Sequence, residues 1–104
     1  MFERCPSLSD INALEKWDMS KAINFESMFQ SSSLSNVKAL KNWNVSNVND
    51  FKSMFQSCSS LSDIKTLENW NVSYYNNFNY MFRGCSPLLN INALKKWNIS
   101  KSLL

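Results

Sequence analysis

The sequence predicts an α/β fold: a leucine-rich-repeat-like solenoid of about four strand–helix units, each of 26–27 residues, with a short-stranded parallel sheet. Three observations carry that expectation. The dipeptide Met-Phe recurs at Met1-Phe2, Met28-Phe29, Met54-Phe55 and Met81-Phe82, at spacings of 27, 26 and 27 residues. Tryptophan keeps the same interval at Trp17, Trp43, Trp70 and Trp97. Within each repeat the apolar residues follow two different periods, one helical and one closer to that of a strand. The units run 1–27, 28–53, 54–80 and 81–104 and form one solenoid domain, or a segment of a longer array. The second unit is one residue short between Phe29 and Leu34, where the cysteine column is interrupted.

The helical half of the unit is clearest after Ser46. Val48, Phe51, Met54, Phe55 and Cys58 follow spacings of three and four, the pattern of one face of a helix. This predicts helices near 21–31, 47–57 and 74–84. Ser20, Ser46, Ser73 and Ser100 stand where an N-cap would accept a first-turn N–H, and Gly84 stands where the third helix would stop. The strand half is read from Leu8-x-x-Ile11-x-Ala13, Leu34-x-x-Val37-x-Ala39, Leu61-x-x-Ile64-x-Thr66 and Leu88-x-x-Ile91-x-Ala93. Their spacing suggests a bend followed by a short strand with alternate residues inward. Leu14, Leu40, Leu67 and Leu94, with the tryptophans, fill the turn to the next helix. A unit this short cannot bury its own apolar face, so its neighbours must cover it.

Composition narrows the function classes. The chain has 104 residues, 44% hydrophobic and 18% charged, enough for one small folded domain. Glycine occurs once and proline twice, against 18 serines and 15 asparagines. Histidine is absent, which removes the commonest general base and metal ligand. No apolar run reaches the ~18 residues of a membrane span, and Met1–Pro6 lacks the basic start and apolar core of a signal peptide. These features predict no catalysis, no cofactor, no metal, no nucleic-acid partner and no membrane insertion.

The units resemble the 26-residue surface-protein repeats of BspA-like leucine-rich proteins, a group also described from mycoplasmas. Met54-Phe55-Gln56-Ser57-Cys58-Ser59-Ser60-Leu61 follows that family's M-F-x-x-C-x-x-L, and Asn42-Trp43-Asn44-Val45-Ser46-Asn47-Val48 follows its N-W-[DN]-x-S-x-V. Most units depart from it by an extra residue between the Leu and the Trp. The resemblance implies a leucine-rich-repeat module on a bacterial cell-surface or secreted protein, with roles in adhesion and protein binding. It brings no catalytic residues. Because the chain shows no signal peptide, a cytoplasmic location stays open.

Candidate binding residues come from the predicted sheet face, where side chains flanking the inward Ile or Val point outward: Asp10 and Asn12, Asn36 and Lys38, Asp63 and Lys65, Asn90 and Asn92. Tyr74 and Tyr80 fall off the apolar helix face and are candidate exposed aromatic contacts, whereas Tyr75 aligns with Val48 in the core. The tryptophans keep strict phase with the repeat, which assigns them to the core. Cys5, Cys58 and Cys85 share one column. A buried thiol column is the first reading, with a Cys58–Cys85 disulfide or a reactive thiol as alternatives. The Asn-x-Ser triplets at Asn44, Asn71 and Asn98 match a glycosylation acceptor, but Asp18 takes the Asn place in the first unit, so the motif reads as a structural turn. The net charge of +3 divides into +4 after Glu68 and −1 before it, a solvated repeat rather than a basic patch. Both ends lack a polar cap, which predicts self-association. The expected function is a protein-interaction or adhesion module of a surface-associated bacterial protein. The competing reading is a spacer or self-assembling element with no specific ligand.

Overall fold

A computed structural model describes residues 12–72 and 76–97. Regular structure among them consists of four 3-10 helices: η1 (Asn12–Lys16), η2 (Lys38–Leu40), η3 (Lys65–Asn69) and η4 (Ile91–Trp97). Turns connect them, tied by isolated parallel bridges that join Asn24 to Asp50, Asp50 to Asn77, and Asn36 to Asp63. No α-helix and no extended strand occurs among the described residues. The expected solenoid of strand–helix units with a parallel sheet is therefore overturned. The described residues are turns and 3-10 helices, in a compact body of 32 × 29 × 19 Å.

The segments expected to be helical are chains of tight turns. Ser27, Ser31, Ser53, Ser57, Tyr80 and Gly84 all hold φ between 57° and 75°. That is the left-handed region, which an α-helix of L-residues excludes. Within each repeat these residues come four apart, so the chain reverses its curl every fourth residue. Backbone donors then alternate between two destinations. The N–H groups of Phe51, Ser53, Phe55 and Ser57 donate to the carbonyls of Asn77, Asn79, Met81 and Arg83 in the next repeat, at 2.6–3.0 Å. Those of Met54, Gln56 and Cys58 turn back to Phe51, Ser53 and Phe55. One repeat earlier, Phe25, Ser27, Phe29 and Ser31 donate likewise to Asp50, Lys52, Met54 and Gln56 at 2.8–2.9 Å. This double accounting satisfies buried amides without a helix. A four-residue turn period also places Phe51, Met54, Phe55 and Cys58 on one inward side, so the apolar spacing imitates a helical face.

The segments expected to be strands wind into 3-10 helices instead. Leu34, Val37, Leu40 and Trp43 are spaced by three, as are Leu61, Ile64, Leu67 and Trp70. Three residues per turn is the 3-10 period, and it stacks these side chains along one edge. The closing bonds run from the N–H of Leu40 to the carbonyl of Val37 and from Leu67 to Ile64, both at 3.0 Å. Only the single bridge Asn36–Asp63 precedes the winding. Successive helices pack side by side, η1 on η2, η2 on η3 and η3 on η4.

The core lies between these two edges. Phe29, Phe55 and Phe82 stack at centroid distances of 5.7 and 5.6 Å, nearly parallel, and Phe51 stacks on Phe78 at 5.4 Å. Offset stacking adds roughly 0.5–1.5 kcal/mol per pair beyond burial. Trp43, Trp70 and Trp97 are buried and donate their indole N–H to the carbonyls of Leu14, Leu40 and Leu67 at 2.9–3.0 Å. Trp17 departs from the expected pattern at 45% exposed.

Candidate functional site

The positions chosen from the sequence are governed first by a local hydrogen bond. Asn36, Asp63 and Asn90 each accept, on Oδ1, the N–H two residues on: Lys38 at 3.1 Å, Lys65 at 3.3 Å and Asn92 at 3.0 Å. These Asx turns open η2, η3 and η4. The same device recurs at a second corner, where Asn24, Asp50 and Asn77 receive Glu26, Lys52 and Asn79 at 2.7, 2.9 and 3.1 Å. It recurs at a third, where Asp18 and Asn44 receive Ser20 and Ser46 at 3.0 and 3.1 Å. Ser20 and Ser46 are therefore backbone donors in a turn, not caps of a helix. Ser73 and Ser100 lie outside the described residues. The two bonds from Ser20 hold the fully exposed Asp18 carboxyl below its ordinary pKa. The high Asn and Asp content thus serves the corners of the repeat.

Four of the chosen residues do come together. Asn36 bridges Asp63, and Lys38 and Lys65 follow each of them by two. Lys38, Asp63 and Lys65 have exposed side chains and, with Lys41 and Glu68, line an open depression of about 350 Å³. Three ammonium groups and two carboxylates there present both signs of charge on one rigid face. Asn90 and Asn92 are exposed at η4 but do not line that depression. Asp10 and Tyr74 lie outside the described residues, as do Tyr75, Cys5 and the side chain of Asn12. Tyr80 is 41% exposed, and the Arg83 guanidinium sits 5.1 Å from its ring centroid.

The cysteine column holds thiols engaged as donors. Cys58 and Cys85 are not joined in a disulfide. The Cys58 Sγ donates to the carbonyl of Phe29 at 3.0 Å and lies 3.3 Å from the Ser32 Oγ; Cys85 donates to Phe55 at 3.1 Å. Ser32 thus fills the place where the second repeat lacks cysteine. Burial pushes the Cys58 thiol up, and burial with the neighbouring Cys58 pushes Cys85 up to about 12. Both are protonated at neutral pH, the opposite of an activated nucleophile. Among the described residues no group of three His, Cys, Asp or Glu is placed to hold a metal, and no helix is long and apolar enough to cross a membrane.

A family model matches residues 1–103 of the chain. The chain belongs to the family described as "Mycoplasma protein of unknown function, DUF285". No curated protein and no solved structure matches it. Membership in DUF285 places the chain beside mycoplasma repeat sequences, the coarser half of the resemblance read from Met54–Leu61 and Asn42–Val48. It brings no support for a BspA-type leucine-rich repeat in particular. Two features of this DUF285 chain escaped the sequence reading. One is the three-residue spacing Leu-Val-Leu-Trp, which is visible in the sequence once 3-10 structure is considered. The other is the pairing of each corner Asn or Asp with the N–H two residues on.

Proposed function

We propose that this chain is a protein-recognition module of a surface-associated protein, acting without catalysis through the face around Lys38, Asp63 and Lys65. The observation that carries the reading is the contrast within the repeat. The core Met, Phe, Leu and Trp recur from copy to copy, whereas the corner pair changes from Asn36 and Lys38 to Asp63 and Lys65 to Asn90 and Asn92. Such side chains hold charge on a rigid frame at little cost in ordering entropy, which favours binding. The likeness of the Met-Phe and Asn-Trp motifs to BspA-like surface repeats supports a surface location and an adhesive role, at the level of motif and not of fold.

The experiment exchanges charge on that face. Lys38→Glu with Lys65→Glu alters exposed side chains and leaves the backbone donors to Asn36 and Asp63 in place. A partner recovered by crosslinking on mycoplasma or host cell surfaces should bind the variant at least about tenfold more weakly, with an unchanged melting temperature. Equal affinity rejects this face. Recovery of no saturable partner favours the spacer reading.

A further inference from the structure

Charge is sorted by face in a way that its order along the chain conceals. Lys16, Lys38, Lys41, Lys65, Lys95 and Lys96 stand in or directly beside η1–η4, and all six are exposed. The carboxylates of the same edge are Glu15, Asp63 and Glu68. The other described charges are Lys21, Lys52 and Arg83 against Asp18, Glu26 and Asp50. Those cancel. The whole positive excess of the described residues therefore lies on the 3-10 edge.

Within that edge the signs are ordered. Glu15, Lys41, Glu68 and Lys95 each follow a core leucine by one residue. The indole bonds of Trp43, Trp70 and Trp97 to the carbonyls of Leu14, Leu40 and Leu67 hold this column in register. It alternates in sign from layer to layer, so its fields offset one another. What remains is Lys16, Lys38, Lys65 and Lys96, one on each 3-10 helix, against the single carboxylate of Asp63. None of these four ammonium groups has a hydrogen-bond or ion-pair partner among the described residues. Bridged layers lie about 4.8 Å apart, so the four cations step across roughly 15 Å.

The surroundings select what such a row can hold. The depression at its middle carries no purely apolar side chain, unlike the apolar, aromatic core of a globular interface. Of the tryptophans behind it only Trp17 is exposed, too little for the successive base stacking that single-stranded nucleic acid uses. We propose that this edge takes up an extended acidic segment of its protein partner, with a carboxylate on alternate residues. The inference rests on the recognition face at Lys38 and Lys65 and assigns a chemistry to the partner. In an extended chain alternate side chains share one side, so a segment of about five residues lays its carboxylates along the whole row. Exposed lysines steer such a segment in and discriminate by sign, an attraction that weakens with salt.

Titration of the isotope-labelled whole chain with a peptide of about ten residues alternating Glu and Ser, followed by NMR at low salt, tests the proposal. Amide shifts should gather at Lys38, Lys41, Lys65 and Lys96 and leave Lys52 and Arg83 in place. They should vanish for the peptide with Gln in place of Glu. Affinity should fall at least about tenfold in Lys38→Glu with Lys65→Glu. It should fall less than about twofold in Lys21→Glu with Lys52→Glu, which changes net charge equally but away from the edge. Both variants should keep the melting temperature of the parent. Shifts spread over both sides of the molecule, or equal losses in the two variants, reduce the effect to net charge and overturn the proposal. So does the absence of any saturable shift, or saturation of this edge by a sulfated glycan and not by the peptide. A cell-surface partner that loses affinity in Lys38→Glu with Lys65→Glu, yet is not displaced by the peptide, overturns the acidic segment while the recognition face stands.

Discussion

The two described cysteines show how a single side chain is set by its place in the repeat. Cys58 is wholly buried and Cys85 partly so, and each thiol donates to a phenylalanine carbonyl about one repeat earlier. The folded protein therefore favours the protonated form. Because folding raises the Cys85 pKa from 9.0 to about 12, the stability it contributes is complete below about pH 9. It is lost as pH climbs toward 12, where the unfolded chain ionises more readily. Thermal melts of the protein and of Cys58→Ser with Cys85→Ser should accordingly diverge between pH 9 and 11, the double variant falling less steeply. Serine is the apt replacement because Ser32 already occupies that column. Parallel alkaline curves would show that the thiols carry no such linkage. Cys58 and Cys85 should also resist iodoacetamide until the chain is denatured.

The turn with one left-handed residue in four is the element that sequence reasoning did not resolve. Val48, Phe51, Met54, Phe55 and Cys58 satisfy a helical template because turns of period four and a helix of period 3.6 drift apart by only about one residue over ten. The decisive signal sits elsewhere, in the residues that take positive φ. Gly84 is the one glycine, and its equivalents Ser31 and Ser57 share its conformation at φ 62°. Ser57→Gly should thus be neutral or stabilising by up to about 1 kcal/mol, the strain relieved being partly offset by unfolded-chain entropy. Ser57→Val should cost about 1–2 kcal/mol, since a β-branched residue is poorly accommodated there. Chemical denaturation of both variants measures this, and equal stability would remove the left-handed turn from the account. The 3-10 helices were legible in principle: Leu61, Ile64, Leu67 and Trp70 spell a period of three. The same residues also admit a bent strand, because Ile64 and Thr66 alternate with the period of two that a strand shows.

At the scale of the molecule, the repeat length, the burial of Trp43, Trp70 and Trp97 (though not of Trp17) and the mutual cover of neighbouring units were open to inference from sequence, since periodic identity has few other causes. The geometry that joins the units was not, because main-chain bonding between repeats leaves no mark on side-chain hydropathy. Phe51 illustrates the consequence. It is fully buried, stacked on Phe78 and 6.0 Å from both Phe25 and Trp70, so it touches three repeats. Phe51→Ala should cost about 3–5 kcal/mol, while Lys52→Ala on the outer side of the same turn should cost under about 0.5. Similar melting shifts for the two would mean that the inward side is misplaced.

The central claim is that alternate amides of each Met-Phe segment bond forward to the next repeat rather than back along a helix. Scalar couplings across hydrogen bonds, read by NMR on isotope-labelled protein, report each donor–acceptor pair by name. The account predicts couplings from the Phe51 amide to the Asn77 carbonyl and from Phe55 to Met81. A coupling from Phe55 to the carbonyl of Phe51, four residues back, would contradict it and restore the helix.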